Sequence, residues 1–135
     1  MRVVLAEAGA FDAWLAAYAR AQDGGDVALL ESLFSEDAEF FETPFHAPIE
    51  GRKAISDVFA AVWARLTDVS FEIEKISDGW AHWTSGAIIE ALDEPQRSNG
   101  ILKAELDEEG RCRSLKFWTE RLSVREADML AQRDA

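Results

Sequence analysis

Hydrophobic positions along the chain change period once, near its middle. Phe11, Trp14, Leu15 and Tyr18 recur at the i, i+3, i+4, i+7 spacing of a helix with one apolar face. Gly24-Gly25 predicts its end, because glycine accepts the left-handed conformation that closes helices. Asp26 is placed to cap a second, shorter helix with Val27, Leu30, Leu33 and Phe34 inward. A strand is predicted over Ala38–Glu42, and Pro44 and Pro48 bracket an irregular loop after it. A third helix is predicted from Arg52 to Leu66, where Ile55, Val58, Phe59, Val62 and Trp63 keep helical spacing.

From there the pattern becomes alternating. Phe71 and Ile73 alternate with Glu72 and Glu74, which predicts a strand with one wet face. Ser77-Asp78-Gly79 is a hairpin signal, since Asp-Gly supplies the positive φ angles of tight turns. A long strand over Trp80–Leu92, a connection at Asp93–Gln96, and strands over Arg97–Leu106 and Arg111–Leu122 follow. Asp107–Gly110 joins the last two strands, and Ser123-Val-Arg-Glu126 has the form of a capping box for a short terminal helix. Helices placed ahead of a meandering sheet predict an α+β fold: a cone-shaped barrel of curved antiparallel sheet covered by three N-terminal helices. One domain is expected, with its core over about Phe11–Leu122 and a tail over 123–135.

Composition narrows the function classes. At 135 residues, 48% hydrophobic with five tryptophans, the chain is expected to bury roughly two-thirds of its unfolded surface. Fourteen basic against 26 acidic residues leave a net charge of −12. That field repels phosphate backbones and anionic bilayers, so no nucleic acid and no membrane partner are expected. A single cysteine excludes an intrachain disulfide and a cysteine-rich metal site; Cys112 fits a small buried apolar role. The run at Met1–Ala10 is too short for a signal peptide or span, so a cytoplasmic enzyme or binding protein is expected.

Three segments carry a family resemblance: Tyr18 with Gly25-Asp26 and Leu33–Ala38; Ile49-Glu-Gly-Arg-Lys-Ala-Ile55; and Gly110-Arg111 with Phe117-Trp-Thr-Glu120. In that order they resemble the SnoaL-like branch of the nuclear-transport-factor-two-like superfamily, which includes polyketide cyclases, steroid isomerases and epoxide hydrolases. The resemblance implies a pocket for a small apolar or cyclic molecule, cofactor-free proton-transfer chemistry (isomerase, cyclase or dehydratase type) and a homodimer. A non-catalytic ligand carrier or a dimerisation module are the alternatives within the same fold. Measured against the steroid isomerases, Tyr18 falls on the oxyanion-stabilising tyrosine. Glu42 falls on the carboxylate base when counted from Gly25-Asp26, and Thr43 falls there when Pro44 is the anchor. Their second oxyanion donor falls on or near Leu102. Of the epoxide hydrolase residues, Glu120 and Glu90 match two carboxylates and the arginine has no counterpart.

Tyr18, Glu42 and His46 are therefore the candidate catalytic residues, and Phe41, Trp63, Trp83, Trp118 and Glu120 the candidate substrate wall. A carboxylate enclosed by aromatics can take a proton from carbon beside a carbonyl while a tyrosine hydroxyl steadies the enolate. His46, between the two prolines, is a titratable group at the expected pocket mouth. Each has a plainer reading: Glu42 as a solvated strand end, Tyr18 and the tryptophans as core, His46 as surface loop. Glu120 shares a face of an alternating strand with Trp118 and Lys116, and Leu115 and Phe117 occupy the other. The pattern leaves open which face is inward, and the resemblance favours the Glu120 face. His82 is read as structural and Gly51 as backbone geometry rather than a phosphate site. Two histidines 36 positions apart form no metal motif, so no metal and no cofactor are expected.

Overall fold

The computed structural model describes residues 9–123. α1 (Ala10–Gly24) buries Phe11, Trp14, Leu15 and Tyr18 and ends at Gly25, whose φ of 59° is left-handed. Asp26 caps α2 (Val27–Ser32) by accepting from the Leu29 N–H at 3.0 Å. The Leu33 carbonyl then ties three elements together. It accepts from the Trp14 indole N–H at 3.0 Å and from the Cys112 N–H at 2.7 Å.

The chain continues through β1 (Phe34–Phe41), β2 (Ile49–Glu50), α3 (Arg52–Trp63), β3 (Leu66–Ser77), β4 (Trp80–Ile89), β5 (Glu94–Leu106) and β6 (Cys112–Ser123). These strands form one six-stranded sheet in the order β2-β1-β6-β5-β4-β3. Its ends do not meet, so the sheet is curved and unclosed. α1 lies against β3, and α3 lies against β1 and β3, so the helices cover the concave face. Lys75 of β3 pairs with Asp12 of α1 at 3.1 Å across that junction. The α+β class expected from the element order is the class observed.

Several boundaries differ from the sequence pattern. β1 starts at Phe34, inside the expected second helix, and a register shift between Phe34 and Glu39 interrupts the alternation that would mark it as a strand. It also pairs with β6 in parallel, so one ladder of the sheet departs from the expected antiparallel arrangement. β2 is two residues long and too short to show a period. α3 ends at Trp63 and β3 begins at Leu66, with a bulge between Thr67 and Ser70 where Asp68 has φ 51°. β4 stops at Ile89, short of the expected Leu92, and β5 begins at Glu94, within the expected connection. Pro95 is the second residue of β5 and stands opposite Ile88 of β4. The helix expected after Ser123 lies outside the described residues. Among the described residues no helix is long and apolar enough to cross a membrane.

Candidate active site

Strand alternation decides what faces the helices. On the concave side, cross-strand registers align Ile73, Trp83, Gly100 and Thr119 in one row. The next row is Phe71, Ser85, Ser98 and Arg121. Together with α1 and α3 these rows enclose an open recess of about 200 Å³. Its floor is aromatic: Phe40 and Phe117 meet edge to face at 4.9 Å, and Trp83 lies 5.7 Å from Phe117. Gly100 makes room for that floor. A Cβ there would stand 2.3 Å from the Trp118 carbonyl oxygen and 2.8 Å from the Trp83 ring.

Tyr18 forms part of the wall and is buried, stacked on Trp14 at 5.0 Å with Phe59 and Phe71 edge-on. Its oxygen accepts from Gln22 Nε2 at 2.9 Å, and Gln22 Oε1 accepts from the Trp63 indole at 3.0 Å. Burial pushes the phenol well above its usual 10.0, opposed by the Gln22 hydrogen bond. Tyr18 is therefore neutral through the physiological range. Glu42 borders the recess as an exposed carboxylate at the end of β1.

The expected site residues divide between the two faces of the sheet. Tyr18, Glu42, Trp63 and Trp83 border the recess. Phe41 does not: Phe40 points inward, Phe41 turns outward, and Lys116 Nζ sits 5.2 Å from its ring centroid. Trp118 and Glu120 also turn outward, which corrects the expectation that their face lines the pocket. Trp118 is 40% exposed and stacks on Trp80 at 5.8 Å. The buried Leu115 and the packed Phe117 fix the inward face of β6, and period-two alternation sends Trp118 and Glu120 the other way. His46 is exposed and stands outside the recess lining, its N–H reaching the Thr43 carbonyl at 3.5 Å.

His82 is on the outer face, its Nδ1 3.9 Å from Glu74. Leu102 is fully buried and offers no donor. Gly51, at φ 89°, joins α3 to β1 through its N–H to the Ala38 carbonyl at 2.8 Å. Among the described residues no group of three His, Cys, Asp or Glu side chains is arranged to hold a metal. Sequence reasoning missed Gln22, Ser98, Thr119 and Arg121, all of which border the recess. The signal for the last two was available: they share the alternating face of β6 with Leu115 and Phe117.

Helices over a curved, unclosed sheet, with an aromatic recess between them, define an α+β protein of the cone type. The chain belongs to the SnoaL-like domain family, whose model matches residues 14–113. Among solved structures it is similar to a steroid delta-isomerase from Pseudomonas aeruginosa, at 17% identity and TM-score 0.66, covering 96% of this chain and 91% of that one. It is also similar to an epoxide hydrolase/cyclase-like enzyme with a role in pyran ring formation in the polyether salinomycin. That match has 20% identity and TM-score 0.67 over 81% and 89% of the two chains. A computationally designed 17-OHP binder shares the fold at 11% identity and TM-score 0.67, over 84% and 98%. No curated protein matches the chain in sequence.

Proposed function

We propose that this protein binds a small apolar or cyclic molecule in the recess and carries out cofactor-free proton transfer on it, of isomerase, cyclase or dehydratase type. The buried Tyr18 hydroxyl carries the reading: its oxygen accepts from Gln22, and it lies on the wall of a recess that Glu42 also borders. Glu42 takes a proton from carbon beside a ligand carbonyl, and the electron pair moves onto the carbonyl oxygen. Tyr18 donates to that enolate, and its aromatic surroundings strengthen the bond by excluding water. Return of the proton to another carbon is isomerisation; attack of the enolate carbon on a second carbonyl is cyclisation. The steroid delta-isomerase and the epoxide hydrolase/cyclase-like enzyme among the structural neighbours support this reaction class. A single cysteine fits a cytoplasmic setting.

The test is turnover of β,γ-unsaturated cyclic ketones, followed by absorbance of the conjugated product. Tyr18→Phe and Glu42→Gln should each lower the rate by about a hundredfold or more with the fold intact. Full activity in the double variant would remove both assignments.

Leu102 favours a second reading. It is buried and apolar, at or near the position where the family resemblance sets the second oxyanion donor of the steroid isomerases, which suits a carrier that binds without converting. Calorimetric binding of such a ketone with no product on long incubation would select the carrier. The homodimer implied by the family resemblance would use the outer sheet face, where Trp80 and Trp118 stack with Trp118 partly exposed. Light scattering on the purified chain tests this, and a monomer at high concentration would exclude it.

A further inference from the structure

One end of the recess is polar in a way that the Tyr18 and Glu42 chemistry leaves unused. Ser85 faces Ser98 across β4 and β5, and Arg121 stands beside Ser98 on β6. Thr119 lies one row away, opposite Gly100. All four border the recess. Among the described residues none of the four makes a side-chain hydrogen bond, and Arg121 has no ion-pair partner. The Trp83 Nε1–H, in the row of Thr119, is buried and likewise has no partner.

The two charges of the recess stand apart. Phe41 is level with Lys116 in the parallel β1–β6 ladder, so Glu42 leaves the strand about level with Phe117. Arg121 lies four positions further along β6, roughly 13 Å away at strand rise. Glu42 therefore does not neutralise Arg121. Among the described residues the only full charges on the recess lining are the Arg121 guanidinium at this end, with the Ser85, Ser98 and Thr119 hydroxyls near it, and the Glu42 carboxylate at the far end. Unpaired donors in a partly enclosed site favour a ligand that brings an acceptor.

We infer that the Ser98–Arg121 end of the recess is a subsite for a carboxylate, and that the ligand is a ring-sized apolar acid. This rests on the reading of the recess as a ligand site. The guanidinium fork matches the two oxygens of a carboxylate, and the Ser98 and Thr119 hydroxyls supply further donors. The ring body lies on Phe117 and Trp83, under Phe59 of α3. In a chain of net charge −12 an anion is repelled at long range, so selection falls to this local cation. Glu42 at the far end repels the acid group and so orients the ligand, with its carboxylate toward Arg121.

Calorimetric titration of the full chain with naphthoate and with its methyl ester, at low ionic strength, tests the subsite. The acid should bind about tenfold tighter than the ester, and Arg121→Gln should erase that difference while ester affinity stays within about twofold. Arg121 is exposed, so the variant is expected to fold, and far-UV circular dichroism checks this. Equal binding of acid and ester to the native chain, or a preference for acid that survives Arg121→Gln, overturns the carboxylate subsite and leaves the recess reading standing. Binding of neither compound at millimolar concentration by the folded protein overturns the recess as a ligand site and the subsite with it.

Discussion

Gln22 holds Tyr18 from the next turn of α1, its Nε2 donating to the phenol oxygen over 2.9 Å. The same amide accepts from Trp63 of α3, so one side chain joins two helices at the recess wall. Gln22→Leu removes both bonds and strands the phenol oxygen in a buried setting. The expected cost is about 1–2 kcal/mol in urea denaturation. Unchanged stability would show that water replaces the amide without loss.

Gly100→Ala is expected to be severe for a residue so small. The added methyl meets the Trp118 carbonyl oxygen at 2.3 Å and the Trp83 ring at 2.8 Å, and a backbone oxygen in a sheet cannot retreat. A loss of about 3 kcal/mol is expected, with changed tryptophan fluorescence as Trp83 is displaced. Wild-type stability and emission would show that the ring does not lie across this position.

Phe117→Ala and Trp118→Ala should separate the two faces of β6. Phe117 packs on Phe40 and Trp83, and its loss should cost about 3 kcal/mol and enlarge the recess. Trp118 packs on Trp80 alone among the aromatics, and its loss should cost about 1 kcal/mol and leave ligand affinity unchanged. A Trp118→Ala protein with weakened ligand binding would contradict the placement of that face.

Alkaline pH should destabilise the protein before it changes the surface. Burial pushes the Cys112 thiol from 9.0 up to about 12, opposed by backbone hydrogen bonds at Ser114 and Glu105. The folded state therefore binds a proton that the unfolded state releases, so stability falls as pH rises from about 9 to 12. Tyr18 adds to the same slope above 10.0. Cys112→Ala should flatten the early part of the fall, read as denaturation midpoint against pH. The thiol should react with a thiol reagent only after unfolding.

The elements most legible in the sequence are those whose signals are local. The stripe Phe11–Tyr18, the Gly24-Gly25 stop, the Asp26 cap and the Asp78-Gly79 hairpin each lie within a few residues. Strand starts were less legible where bulges at Phe34–Glu39 and Thr67–Ser70 shift the alternation. The inward face of β6 was ambiguous from its own residues, since Phe117 and Trp118 are both large and apolar. Helix packing over Leu115 and Phe117 resolves it. The resemblance favoured the opposite face, and with it Trp118 and Glu120 rather than Thr119 and Arg121.

What the chain determined by itself was the order and type of the elements other than the two-residue β2, and the α+β class, because capping, turn geometry and hydrophobic period are set by neighbours in sequence. The meeting of Tyr18 with Gln22 was implicit in helical spacing. The parallel pairing of β1 with β6, the outward turn of Phe41 and Trp118, and the row of Ser85, Ser98 and Arg121 were decided only by tertiary structure. Each depends on register between strands distant in sequence, and a shift of one residue would reverse every face.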